Sequence, residues 1–246
     1  MKSLLLAAFA LGVGLAPAPA RALDPGYYVV TAYPNAGQRS IDFRYWTIKF
    51  KQGGSAVLWP EAGFGYGVSS RWYTELYASL VGTSLQSTRL SNATWQNEVL
   101  LTQGELPFDL ALHAAVSHLA QPGEGDAIEI GPALQTDVGR TQLNANLFFI
   151  RGYGGNTAGP TELRYQWQVK HRVVPLANFG LQGFGELGTW DHWAPASRQS
   201  HRAGPALFGS APLGDGRSLI YQAAYLFGTV YGQQAGMFTL RVQYTF

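Results

Sequence analysis

The chain has 246 residues, no cysteine, 13% charged residues, 13% aromatics, 30 Gly and 13 Pro. An ordinary soluble domain carries roughly 25% charged residues. This deficit, with so many aromatics, excludes a disordered chain, and the absence of cysteine excludes disulfide scaffolds, CxxC redox sites and a cysteine-linked lipid anchor.

Lys2, an apolar run from Leu4 to Leu15, and Ala20-Arg21-Ala22 before Leu23 have the charged, apolar and small-residue parts of a cleaved signal peptide over residues 1–22. The apolar run stops before Pro17 and Pro19, short of the ~20 residues a spanning helix needs. Without Lys2 and Arg21 the formal charge of +2 becomes zero, with 15 basic and 15 acidic residues. The hint of a nucleic-acid partner goes with it. Residues 23–39, with Pro25, Pro34, Asn35 and Gly37, read as a periplasmic or plug-like lead-in to a domain over 40–246.

From residue 40 onward the pattern has period two. At the C-terminus Phe238, Leu240, Val242, Tyr244 and Phe246 interleave with Thr239, Arg241, Gln243 and Thr245. Leu163, Tyr165, Trp167 and Val169 oppose Glu162, Arg164, Gln166, Gln168, Lys170 and Arg172. A strand sorts such residues onto two faces, whereas a helix scatters them. Carried along the chain, the pattern predicts twelve strands near 40–49, 55–67, 70–81, 93–103, 107–118, 126–136, 140–151, 161–172, 178–189, 201–210, 217–228 and 236–246. Most have the roughly 9–11 residues of a tilted membrane-crossing strand. Short turns at 68–69, 103–107, 137–140, 175–178 and 213–217 alternate with outward loops at 51–55, 82–92, 119–126, 152–160, 189–201 and 229–235. This asymmetry is that of outer-membrane barrels.

A soluble sandwich alternates in the same way, so the choice rests on which face is wet. Soluble strand faces and edges are rich in Lys, yet after residue 22 only Lys49, Lys51 and Lys170 remain. Trp46, Trp72, Tyr73, Trp95, Trp190, Trp193 and Tyr244 lie near strand ends, as interfacial girdles do. The chain stops on an alternating strand at Phe246, so Tyr244 and Phe246 are the expected signal to the barrel assembly machinery. The reading is an all-β, transmembrane antiparallel β-barrel of about twelve strands in the bacterial outer membrane. Its expected partners are outer-membrane lipid, lipopolysaccharide, the assembly machinery and a small solute.

With the apolar face toward lipid, the lumen receives Asp42, Arg44, Glu75, Glu98, Asp109, Glu129, Glu162, Arg164, Gln166, Lys170, Arg172, Glu186 and Arg241. These either select solutes by charge and size or cross-link a narrow interior. Twelve strands enclose less than the 16–18 of general porins, and Trp46, Tyr77, Phe148 and Phe184 fall on the same parity. No His-x-Ser or Ser-x-His pair occurs for a rim hydrolase. His113 and Ser117 share a parity four residues apart, where rim enzymes use His and Ser two residues apart on one strand. Asp191, His192 and His201 share one loop without metal-ligand spacing. Gly63-x-Gly65-x-Gly67 and Gly180-x-x-Gly183-x-Gly185 lack the context of a nucleotide loop and read as sites of close packing. No enzyme activity, metal or cofactor is expected.

The segments Phe64–Leu80, Trp95–Leu112, Ile130–Phe149, Thr161–Arg172, Gly183–Trp193 and His201–Gly209 resemble a largely uncharacterised group of proteobacterial outer-membrane β-barrels regarded as transporters. The resemblance implies the signal peptide, the barrel and its location, and brings no catalytic motif or substrate. The expected function is a narrow channel or transporter for small solutes. The alternative is a closed structural or surface-interaction barrel acting through its extracellular loops, the 189–201 loop above all.

Overall fold

Alternating apolar and polar residues between turn-forming pairs produce twelve strands in the computed structural model, which describes residues 27–31 and 35–246. The expected signal peptide lies outside the described residues. In chain order the strands are β1 (Arg39–Phe50), β2 (Val57–Gly67), β3 (Trp72–Val81), β4 (Arg89–Leu100), β5 (Asp109–Leu119), β6 (Asp126–Val138), β7 (Thr141–Tyr153), β8 (Glu162–Val174), β9 (Ala177–Thr189), β10 (Ser200–Gly214), β11 (Arg217–Val230) and β12 (Gln233–Thr245). Each pairs antiparallel with its chain neighbours, and β1 pairs with β12, closing the barrel. Closure leaves no open edge. The seam is completed by Arg39 and Phe246, which exchange backbone hydrogen bonds of 2.9 Å each way.

Both ends of the barrel sheet, Arg39 and Phe246, lie at one rim, here the terminal rim; the opposite one is the loop rim. At the terminal rim the β6–β7, β8–β9 and β10–β11 connections have two residues each. Asp215 (φ 51°) and Gly216 (φ 73°) are both left-handed, as the tightest hairpin turn requires. The β11–β12 connection departs from expectation. Where a loop over 229–235 is predicted, Tyr231 (φ 47°) and Gly232 (φ 79°) alone make the turn. Polar Gln233 and Gln234 carry no signal to separate ladder from loop.

The outer face is apolar. Ile41, Phe43, Phe64, Leu76, Trp95, Val116, Ile128, Leu147, Leu181, Tyr225, Phe227 and Phe238 are all exposed. In water this would be a large unsatisfied apolar surface. Gly183 and Gly185 belong to this outer face and are roofed by the rings of Trp167 and Tyr165, where a Cβ would come within 2.2 Å of ring atoms. The glycines let large aromatics on β8 lie flat across β9, which fits close packing and no nucleotide site. Two expected girdle residues are corrected, one of which, Trp46, also has the parity expected of the lumen. Trp46 and Tyr73 point inward, Trp46 stacked on Trp59 (centroids 4.4 Å, 12°) and Tyr73 bonded to Ser40 Oγ at 2.9 Å. Both keep the inward parity of their strands, which outweighs their position near a strand end.

Candidate functional site

The lumen collects the charged residues. Strands β1 to β6, β8 to β10 and β12 each project at least one into it, and most meet an opposite charge. Arg44 Nη2 lies 2.6 Å from Glu75 and 3.1 Å from Asp42, and Arg44 Nη1 lies 3.9 Å from Glu61. Arg241 Nε donates to Asp42 at 2.7 Å. On the far wall His113 sits between Glu98 (3.2 Å) and Glu129 (3.0 Å), its ring against Phe148. Arg164 approaches Glu129 at 4.0 Å, and Arg202 makes a two-pronged pair with Glu186. Charges out of bulk water are stable only when paired and hydrogen-bonded in this way.

Of the residues expected in the lumen, Asp42, Arg44, Glu75, Glu98, Arg164, Gln166 and Glu186 are buried there, with Glu129 and Arg241 a little more open. Glu162 stands half-buried at the loop rim, where β8 begins. Lys170 is also half-buried, its Nζ 5.8 Å from the Phe208 ring centroid. Asp109 and Arg172 stand at the terminal rim: Asp109 accepts from the Gly104 amide (2.7 Å) and Arg172 pairs with Asp137 (2.9 Å). Tyr244 and Phe246 stack at the seam, centroids 5.4 Å apart. Sequence reasoning missed Glu61 and Arg202. Pro60 and the glycines of β2 hide the alternation around Glu61. Arg202 lies at the predicted start of its strand, although it shares parity with inward Ala206 and Phe208.

Carboxamides line the terminal half. Gln142 donates to Gln135 and Asn144 (3.0 and 2.9 Å), Asn144 donates to Gln135 (2.9 Å), and Gln182 donates to Gln168 (2.8 Å). Beside them is a cavity of about 380 Å³ bordered by Gln96, Gln168, Lys170, Gln222, Arg241 and Gln243. A second cavity, of about 40 Å³, borders Asn92, Glu129 and Arg164. Tyr28 and Val30 belong to the walls of both. The described part of the lead-in, residues 27–31, therefore runs inside the barrel and divides its lumen.

The hydrolase and metal arrangements do not come together. His113 is committed to its two glutamates, while Ser117 Oγ pairs with Thr94 Oγ1 at 2.8 Å. His201 bonds Tyr165 and Gln199. Among the described residues no group of three His, Asp or Glu side chains is placed to hold a metal ion.

No protein-family model matches the chain, and no curated protein matches it by sequence. Solved structures do match in fold. An outer membrane channel from Pseudomonas putida F1 aligns at TM-score 0.59 and 11% identity, covering 91% of this chain and 98% of that one. The NanC porin aligns at TM-score 0.58 and 11% identity, covering 82% of this chain and 98% of the porin. The shared fold and the exposed apolar face together decide the class. The chain is an outer-membrane β-barrel. Its place is the bacterial outer membrane, which suits an apolar outer face around a charged lumen.

Proposed function

We propose that this outer-membrane barrel is a narrow channel for small solutes. The observation that carries the reading is the polar lumen itself. It keeps a cavity of about 380 Å³ whose wall combines carboxamides, Lys170 and Arg241 with Tyr28, Val29 and Phe208. Rings of fixed charge in a confined bore bias ion passage strongly. The selecting charges in this reading are Glu75, Glu98, Glu162, Arg164, Glu186 and Arg241. Tyr244 and Phe246 serve as the assembly signal, and lipid and lipopolysaccharide surround the outer face.

The test is single-channel recording in planar bilayers with a salt gradient. Arg164→Gln removes a lumen cation and is expected to move the reversal potential toward cation preference. Glu186→Gln is expected to move it the opposite way. Absence of conductance from folded protein rejects the channel reading and leaves the closed barrel acting through its 189–201 loop.

A further inference from the structure

Residues 27–31 are held as a ligand is held. The barrel ladder closes without them, and they belong to no strand. Their grip comes from side chains of the wall. Gln166 Oε1 on β8 accepts from the Val30 amide at 3.1 Å, and Asn146 Nδ2 on β7 donates to the Val30 carbonyl at 3.0 Å. The two carboxamides are bonded to each other at 3.1 Å. Together they offer the Val30 backbone both the acceptor and the donor that a neighbouring strand would offer.

The side chains are read as well. Tyr27 meets Trp46 and Phe184 edge-on (centroids 4.4 and 5.7 Å), with the Arg202 guanidinium 4.5 Å from its ring centroid. Tyr28 lies against both Arg44 (3.9 Å) and Arg241 (4.9 Å), and its hydroxyl donates to Gln96 Oε1 at 2.6 Å. The alternation continues along the segment. Tyr27 and Val29 complete one apolar cluster with Trp46, Trp59 and Phe184, while Tyr28 and Val30 complete another with Leu100, Ala111 and Phe148. Arginine faces and aromatic edges are thus aimed at two adjacent rings.

We infer that the lumen is a binding site for a short peptide bearing adjacent aromatic residues, that residues 27–31 are its tethered occupant, and that their departure opens the bore. Departure breaks contacts with side chains of the wall and leaves the strand ladder, which closes without the segment, in place. The cavity on the terminal side gives the segment room to withdraw. The gating half of this inference rests on the channel reading; the binding half does not.

The experiment uses the chain lacking Tyr27–Thr31, because a tethered occupant, at an effective concentration on the mM scale, outcompetes a free peptide. Heat-modifiable electrophoretic mobility checks that this variant is folded. The free peptide Tyr-Tyr-Val-Val-Thr is expected to change its tryptophan fluorescence, through Trp46, and to lower its raised conductance in a saturable way. Gln166→Ala in the same background is expected to weaken the peptide about fivefold, the value of one lost hydrogen bond. Fluorescence binding without any conductance upholds the site and rejects the channel. Conductance that the peptide leaves unchanged, with no fluorescence response, overturns the inference. Should the deleted chain fail to fold, the full-length Asn146→Ala and Gln166→Ala proteins decide: more frequent opening supports it, and unchanged opening overturns it.

Discussion

Arg202 and Glu186 lie on neighbouring strands, both buried, and their two-pronged pair is one of the strongest single interactions in the lumen. Removing one partner of such a pair leaves the other charged and poorly solvated, at a cost of about 3–5 kcal/mol. Arg202→Met is therefore expected to lower the unfolding free energy by about that amount, while Arg202→Met with Glu186→Leu recovers most of the loss; urea unfolding in detergent or lipid measures both. Period two sorts Arg202 and Glu186 each onto an inward face, but does not say that they meet. Residues of one parity share a face because the rule is set by backbone geometry within a few residues. Which acid finds which base depends on register and strand tilt, so Glu61 beside Arg44 and His113 between two glutamates follow from neither sequence spacing nor composition.

The strands themselves follow from their local pattern, and their turns set the registers. Gly216 and Gly232 occupy equivalent positions of two-residue hairpins, with φ 73° and 79°, yet their surroundings differ. A Cβ on Gly216 meets nothing within 4 Å, whereas one on Gly232 would lie 1.8 Å from the Ser197 carbonyl oxygen of the β9–β10 loop. Gly216→Ala is expected to cost only the left-handed strain, about 1–2 kcal/mol. Gly232→Ala must also displace the loop, so its loss is expected to be larger by the same unfolding assay. The predicted strand ends fall within a few residues of the observed ones except at β4, β10 and β12. There Arg89–Asn92, Ala211–Gly214 and Gln233–Ala235 extend the ladder past polar, Gly or Pro residues. Those residues read as loop because the ladder's hydrogen bonds come from the partner strand.

At the scale of the whole molecule, the charge deficit has become a division of space: a set of charged and carboxamide side chains lines the lumen beside two apolar clusters, and the outer face is apolar. Leu76 tests the division, being 63% exposed in the middle of β3. Leu76→Arg is expected to cost about 2–4 kcal/mol in lipid, as a lipid-facing cation near the midplane does. Gln222→Lys, on the cavity wall, is expected to change stability far less; reversible unfolding in vesicles compares them. The sequence by itself determined the strand class, the lipid-facing parity and the membrane that suits it, because these are properties of neighbouring residues. Only the tertiary structure decided that residues 27–31 enter the lumen and that particular charges pair. Val30 and Gln166, in contact at 3.1 Å, are 136 residues apart. Closing the barrel brings them together, and although the alternation predicts a barrel, no local pattern along the chain says that these two residues meet.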